Sequence, residues 1–172
     1  MIFPESEMKK QRLCPDENGM KTKLSRRITF FNIMKITEHF TLEELTKSAT
    51  AKRLGINNSP TPEALKKLQS LCVLILEPIR EKYGKPIVVT SGYRSVNLNI
   101  RVGGVNTSQH IYGEAADIRS LSDSKEDNKE LFILIHKMIS TGEIVVGQLI
   151  NENDYDWIHI SLPTKKHLNE VL

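Results

Sequence analysis

The length, composition and charge of the chain exclude several classes of protein. Its 172 residues, of which 39% are hydrophobic and 26% charged, suffice for one compact domain with its own core. The formal net charge of +3 is small and scattered, so it gives no argument for a nucleic-acid partner. The two cysteines, Cys14 and Cys72, are too few for a disulfide scaffold, and no apolar run reaches the length of a membrane span.

The beginning of the chain differs in composition from the rest. It is polar, mixed in charge and without a sustained hydrophobic period, which predicts a flexible N-terminal extension over residues 1–33 and a folded domain over residues 34–172. The apolar patch in "KLSRRITFFNIM" is shorter than the core of a usual signal peptide, and no small-residue cleavage site follows it. We therefore identify no classical signal peptide.

Two helices are predicted at the start of the domain. Thr41 can cap the first helix together with Glu44, and Gly55 can end it. The second helix lies in "TPEALKKLQSLCVLILEPIREKYG", where a Thr-Pro start and a terminal glycine bound a segment with one apolar face. We expect Pro78 to kink this helix near its end, because proline removes a helical donor.

The rest of the domain alternates between strands and one more helix. Strands are predicted in "PIVVTSGYRS", "AADIRS", "VVGQLI" and "DWIHISL", with the polar turn "NENDY" between the last two. The segment "SKEDNKELFILIHKMISTG" predicts a helix that begins at Ser122 or Ser124 and ends at Gly142. This order indicates an α+β fold in which helices pack against one mainly antiparallel sheet.

Three residues of ligand type fall in and beside these strands. A hydrolytic zinc ion needs three nitrogen or oxygen ligands and an open position for water, and His110, Asp117 and His159 can supply the three ligands. Asp156 stands three residues before His159, so it must lie in a turn or bulge at the strand start if it is to reach that water. By residue type and spacing alone, a surface or core role for each histidine remains open.

Three sequence blocks point to a known family. The segments "SGYRS", "LNIRVGGVNTSQHIYGEAADI" and "DWIHIS" contain Ser-x-His, Gly-x-Ala-x-Asp and carboxylate-x-x-His in that order. This pattern resembles the zinc D-alanyl-D-alanine carboxypeptidase and L-alanyl-D-glutamate endopeptidase family of peptidoglycan peptidases. The resemblance covers about residues 34–165 and implies a zinc-dependent peptidase of the α+β class.

The resemblance also implies roles for individual residues. It makes His110, Asp117 and His159 the Zn²⁺ ligands and Asp156 the catalytic base. In addition, it implies that Arg94 faces the substrate, where it holds the scissile carbonyl or a substrate carboxylate, and that Ser108 hydrogen-bonds the substrate. For Arg94, a structural salt bridge that holds the loop is the alternative. Glu114, between two proposed ligands, is expected to face solvent.

The resemblance implies a peptidoglycan peptide as substrate and leaves carboxypeptidase and endopeptidase activity open. We expect a monomer without a nucleic-acid partner. A phage-type endolysin would stay cytoplasmic until release, whereas other members would act in the periplasm or cell wall. The alternatives of another class are an inactive wall-binding module that keeps the metal, and a structural zinc protein. The latter is disfavoured because no fourth Cys or His ligand is evident.

Overall fold

A computed structural model describes residues 34–172 of the chain. The predicted N-terminal extension, residues 1–33, lies outside the described residues. Helices and strands alternate along the described part as follows: α1 Leu42–Thr46, α2 Ala49–Leu54, α3 Pro62–Leu71, a π-helical turn Cys72–Leu76, α4 Glu77–Tyr83, β1 Ile87–Ser91, α5 Val96–Arg101, a 3-10 turn Gln109–Tyr112, β2 Ala115–Ser120, α6 Lys125–Ser140, β3 Gln148–Glu152, β4 Trp157–Ser161 and β5 Glu170–Val171.

The strands form one mainly antiparallel sheet in the order β1-β2-β4-β3-β5. All neighbouring strands are antiparallel except β3 and the short β5. In the centre, Asp117 of β2 pairs with His159 of β4, and Ile118 pairs with Ile158. The predicted α+β class with one mainly antiparallel sheet is therefore confirmed.

The core lies between the helices and one face of this sheet. Ile118, Ile158 and Ile160 are fully buried on the sheet side. Helix α6 contributes Leu131 and Ile135 to the same apolar cluster, as do residues of α3, the π-helical turn and α4. Because side chains alternate along a strand, the residues directly next to these isoleucines in β2 and β4 face the opposite side of the sheet. Asp117 and His159 are among them.

The first predicted helix is two helices in the structure. The cap is confirmed, since Thr41 accepts from the Glu44 backbone while the Glu44 carboxylate accepts from the Thr41 backbone. However, α1 ends at Thr46, and Ser48 caps a new helix by accepting from the Ala51 N–H. A second N-cap residue within the segment thus overrides the continuous helical pattern.

The second predicted helix is continuous but contains a π-helical turn before Pro78. Thr61 caps it and Pro62 occupies its first turn, as the sequence indicates. Over Cys72–Leu76 the hydrogen bonds reach one residue farther back, and the Glu77 N–H bonds to the Cys72 carbonyl. A wider turn at this place relieves the clash between the proline ring and the preceding turn of the helix, while the kink expected at Pro78 stays a prediction.

The hairpin of β3 and β4 differs from its sequence-based boundaries. Strand β3 begins at Gln148 rather than at Val145 and continues through Glu152. The predicted turn therefore shortens, and three residues in it have positive φ, namely Asn153 at 50°, Asp154 at 54° and Tyr155 at 67°. Of the two serines proposed to open α6, Ser124 is the cap. Within residues 34–172, no helix is both long enough and apolar enough to cross a membrane.

Candidate functional site

The three predicted ligands come together on the open face of the sheet. His110 lies in the 3-10 turn, whereas Asp117 and His159 are directly paired residues of β2 and β4. Directly paired residues project to the same face, which places the carboxylate beside the imidazole. The ligand atoms of all three lie within 4.8 Å of one another. The loop before β2 and the antiparallel pairing therefore build one cluster from segments distant in sequence.

The distances in this cluster fit a metal ion. Oδ1 of Asp117 lies 2.9 Å from Nδ1 of His159 and 3.3 Å from Nε2 of His110. Tetrahedral zinc with bonds of 2.0–2.1 Å has ligand atoms about 3.3 Å apart, which is close to both of these distances. Two imidazole nitrogens and one carboxylate are a donor set that suits zinc and leaves a position for water. Among residues 34–172, this cluster contains no fourth protein ligand.

His110 is held in place by the "SGYRS" loop. Its side chain is buried, and Nδ1 donates to the Gly92 carbonyl at 2.7 Å, which leaves Nε2 to face Asp117. Gly92 can offer that carbonyl only because it has no side chain, since a Cβ there would lie 2.2 Å from the Leu45 carbonyl oxygen. A backbone carbonyl on the second nitrogen is a common way to orient a metal-binding histidine.

The glycine after the 3-10 turn explains part of the motif between His110 and Asp117. Gly113 has φ +71°, and a Cβ at this position would lie 2.5 Å from the Ala64 carbonyl oxygen of α3. The chain can therefore turn from the His110 segment into β2 while it packs closely against α3. This local geometry sets the distance between the first two ligands.

The electrostatics of Asp117 favour its charged form. Burial would raise the pKa of the Asp117 carboxyl, but hydrogen bonds and charge interactions with His110 and His159 outweigh burial. The pKa of Asp117 is therefore well below its usual range. An ionised carboxylate is the form that binds a metal cation, so the cluster is prepared for one.

A cleft of about 640 Å³ opens above the cluster. Besides the three ligands, its walls include aromatic, cationic, acidic and amide side chains: Arg94, Ser108, Gln109, Glu152, Trp157 and Lys166. Trp157 lies on the His159 face of β4, as strand alternation predicts. The cleft is large enough for a short peptide and reaches the cluster directly.

Arg94 and Ser108 lie together in this cleft. The Arg94 guanidinium donates to the Ser108 hydroxyl at 3.4 Å, and the Arg94 backbone N–H donates to the His110 carbonyl. In the part of the chain that the structure describes, Arg94 forms no ion pair with a carboxylate, and its buried Nε has no hydrogen-bond partner. Burial lowers the pKa of Arg94, with Asp117 acting in the opposite direction. The N–H groups of Arg94 that have no partner can thus donate to an oxygen atom of a bound molecule.

Asp156 lies near the cluster in sequence but is directed elsewhere. It occupies the turn before β4, as the sequence argument required, and its side chain is 47% exposed. The carboxylate lies 3.3 Å from Nζ of Lys125 and is not among the cleft-lining groups, whereas that of Glu152 in β3 is. The structure therefore brings five of the six predicted site residues to the cleft, and the sixth, Asp156, is not among the residues that line it.

Several cleft residues were missed by sequence reasoning. Glu114, expected to face solvent, is 15% exposed, pairs with Lys67 and lines the cleft, so that expectation is wrong. Its carboxylate pairs with Lys67 of α3, which keeps the side chain next to that helix. Glu152 and Gln109 were not considered. A register for the β3–β4 hairpin would have revealed Glu152, since it pairs with Trp157.

The remaining histidines have roles outside the cluster. His39 pairs with Glu77 at 2.6 Å, and His136 is exposed on α6. His167 pairs with Glu170 at 2.7 Å and lines the cleft. None of these three belongs to the group of residues that could hold a metal in the described part of the chain.

Comparison with known proteins agrees with this geometry. A model of the peptidase M15 family matches residues 38–161, which include every residue of the cluster. The chain belongs to this family. A relative with curated information is the zinc D-Ala-D-Ala carboxypeptidase of Streptomyces albus G, which is 50% identical over 44 residues. The aligned segment makes up 25% of this chain and only 17% of the relative. Membership confirms the family resemblance drawn from the three sequence blocks.

Proposed function

We propose that the chain is a zinc-dependent peptidase that hydrolyses amide bonds in the peptide part of peptidoglycan. The observation that carries this proposal is the convergence of His110, Asp117 and His159 at the base of an open cleft. Membership of the peptidase M15 family and the name of the Streptomyces relative support the reaction class and the metal. A structural metal site would use a fourth protein ligand and would not need a cleft.

The three ligands would hold zinc through Nε2 of His110, Nδ1 of His159 and a carboxylate oxygen of Asp117. When bound there, zinc supplies Lewis-acid chemistry toward a water molecule and toward the carbonyl of the bond to be cleaved. The protein contributes the orientation of each ligand, through the Gly92 carbonyl for His110 and through strand pairing for the other two.

Asp156 is the proposed base, which takes a proton from the attacking water and gives it to the leaving amine. Its place at the start of β4, three residues before His159, supports this role. In the structure its carboxylate pairs with Lys125, so the role requires the carboxylate to turn toward the cleft. Glu152 is the rival candidate, because its side chain already lines the cleft.

Arg94 and Ser108 are the proposed substrate-binding residues. A guanidinium with unpartnered donors suits a carboxylate, which it can bind through two parallel hydrogen bonds. The free C-terminal carboxylate of a stem peptide would meet this requirement, and the relative's name points to the same end of the peptide. We therefore place D-Ala-D-Ala carboxypeptidase activity first and L-Ala-D-Glu endopeptidase activity second.

Digestion of defined peptides tests this proposal. Zinc-loaded protein is incubated with a stem peptide that ends in D-Ala-D-Ala, with the same peptide amidated at its C-terminus, and with whole peptidoglycan, and products are identified by mass spectrometry. We expect loss of one D-Ala from the free acid and much slower cleavage of the amide, with a His159→Ala variant as the inactive control. No cleavage of any stem or cross-bridge peptide by protein with stoichiometric zinc would contradict the peptidase proposal and leave a wall-binding module.

The same zinc-loaded protein also tests the endolysin role. Permeabilised bacterial cells are mixed with the protein while turbidity is recorded. An endopeptidase that opens the stem peptide at L-Ala-D-Glu lowers turbidity, whereas a carboxypeptidase trims termini and leaves the wall intact. Lysis together with L-Ala-D-Glu products would support a phage-type endolysin and refute the placement of the carboxypeptidase activity first.

A further inference from the structure

The two ring nitrogens of His159 face different oxygen atoms. Nδ1 lies 2.9 Å from Oδ1 of Asp117, and Nε2 lies 3.3 Å from Oε1 of Gln109. Gln109 directly precedes His110 in the 3-10 turn. A single turn thus carries one metal ligand and a side chain that contacts a second ligand on β4. Neither the family match nor the relative's name assigns a role to Gln109.

The chemistry of this contact determines where His159 carries its hydrogen. An amide oxygen can only accept a hydrogen bond, so the contact requires a hydrogen on Nε2. A neutral imidazole with hydrogen on Nε2 has its lone pair on Nδ1, the atom that faces Asp117. A lone pair and a carboxylate oxygen that face each other need a cation between them, either an added proton, as in the hydrogen bond from His159 to Asp117, or a metal ion. The Gln109 contact therefore favours the tautomer that binds metal.

The two histidines use opposite nitrogens for this purpose. In His110, Nδ1 bonds to the Gly92 carbonyl and Nε2 faces the cluster, whereas in His159 these positions are reversed. Each imidazole has one nitrogen on an oxygen acceptor outside the cluster and the other directed inward. The Gln109 side-chain oxygen thus contacts His159 in the same way that the Gly92 carbonyl oxygen contacts His110.

We propose that Gln109 is a positioning residue that fixes the Nδ1-binding tautomer and the ring orientation of His159. Within residues 34–172 the buried Nε2 at the other end of this amide has no hydrogen-bond partner, so the contact with His159 is the one side-chain hydrogen bond of the Gln109 amide there. The opposite amide orientation would donate to His159 and place the hydrogen on Nδ1, where it blocks the metal. The amide thus keeps its oxygen on the histidine although its nitrogen has no partner in the described residues.

Zinc affinity tests this assignment without any peptide substrate. The metal-free protein competes with a chromophoric chelator for Zn²⁺ at one fixed pH, for the parent chain, Gln109→Leu and Gln109→Glu. Leucine removes the acceptor, and we expect the dissociation constant for zinc to rise about 10- to 100-fold. Glutamate keeps an acceptor oxygen, and we expect an affinity within about threefold of the parent or tighter.

Gln148→Leu is the matched control. Gln148 is a second amide in the same cleft, but it bonds to Glu170 rather than to a ligand histidine. We expect its zinc affinity to equal that of the parent. Gln109→Leu with parental zinc affinity would overturn the assignment, as would a Gln109→Glu variant as weak as Gln109→Leu.

A direct reading of the tautomer keeps the test valid if Gln109→Leu does not fold. Two-bond ¹H–¹⁵N spectra of the zinc-loaded parent chain distinguish protonated from metal-bound imidazole nitrogens. We expect a protonated Nε2 and a metal-bound Nδ1 for His159, and the reverse for His110. Zinc on Nε2 of His159 would refute the assignment. Because no peptide is cleaved in either experiment, such a failure would be distinct from a failure of the peptidase proposal.

Discussion

Gly92 is the residue on which the geometry of the first ligand depends. Its carbonyl accepts from His110, and its missing side chain allows a close approach to the Leu45 backbone. Backbone atoms cannot move aside as the end of a flexible side chain can. The loop "SGYRS" therefore acts on the metal cluster through its glycine as well as through Arg94.

We expect Gly92→Ala to weaken both zinc binding and folding. The added Cβ would lie 2.2 Å from the Leu45 carbonyl oxygen, so the loop must shift and carry the His110 acceptor with it. Overpacking of this kind costs about 1–3 kcal/mol in the free energy of unfolding. Thermal unfolding of the metal-free protein and a zinc titration measure the two effects. A variant equal to the parent in both would show that the loop tolerates a side chain at this position.

The role of Asp156 is tested by three matched variants in one hairpin. We expect Asp156→Asn to keep zinc and to lower kcat by about 10²- to 10⁴-fold, because an amide cannot accept the proton of the water. Asp154→Asn is the control, since Asp154 also faces Lys125 but is more exposed. If instead Glu152→Gln abolishes turnover while Asp156→Asn keeps it, Glu152 is the base. Steady-state kinetics and zinc analysis of each variant decide.

At the scale of elements, Asn128 joins α6 to the end of β2 and to the turn before β4. Its buried side chain accepts from the Ser120 N–H at 2.8 Å and donates to the carbonyls of Tyr155 and Asp156. That turn contains three consecutive residues with positive φ, a backbone conformation that is unfavourable for residues other than glycine. The hydrogen bonds of Asn128 therefore stabilise the unfavourable backbone of the turn that carries the proposed base.

We expect Asn128→Ala to lower the free energy of unfolding by about 2–4 kcal/mol, since it leaves a buried N–H and two carbonyls without their partner. We also expect kcat to fall while zinc affinity stays near that of the parent, because the cluster itself is untouched. Asn128→Asp keeps the acceptor for Ser120 but cannot donate to the turn, and it should share the loss of kcat. Full activity in Asn128→Asp would show that the turn does not depend on this contact.

Sequence signals were strongest where local chemistry decides the structure. The caps at Thr41 and Thr61, and the β-branched strand β1, follow from residue type alone. The break at Ser48 and the π-helical turn at Cys72–Leu76 were not predicted, because the hydrophobic pattern of each segment favours one continuous helix, whereas a second N-cap residue and Pro78 alter it locally.

At the site, residue types and their order in the sequence predicted the three ligands. The directions of the other side chains could be known only from the folded structure. Strand pairing brings Asp117 and His159 together, and the 3-10 turn before β2 adds His110, so the three residues of the motif converge. The direction of the Asp156 side chain depends on the unusual backbone of the β3–β4 turn, which the sequence of the turn did not predict. The roles of Gln109 and Glu114 depend on contacts across the fold, with His159 and Lys67 respectively.

For the whole molecule, the cluster joins parts of the chain that are far apart, so metal binding should stabilise the entire domain. A ligand that binds only the folded state adds to the free energy of unfolding by mass action. At free zinc about 1,000 times the dissociation constant, this amounts to about 4 kcal/mol, or roughly 10 °C in Tm. Chelation should reverse the gain.

Two histidine variants separate this effect from non-specific metal binding. His159→Ala removes a ligand, and we expect the zinc-dependent rise in Tm to disappear. His136→Ala is the control, because His136 is exposed on α6 and away from the cluster. It should keep the full rise, measured by calorimetry with and without zinc. Equal zinc-dependent stabilisation in both variants would contradict the ligand assignment of His159.

Anomalous scattering from a zinc-loaded crystal tests the central claim most directly. We predict one peak per chain, about 2.0–2.2 Å from Nε2 of His110, Nδ1 of His159 and a carboxylate oxygen of Asp117, with a solvent molecule at the remaining position. A zinc peak elsewhere, or a fourth protein ligand that closes the site, would contradict the account.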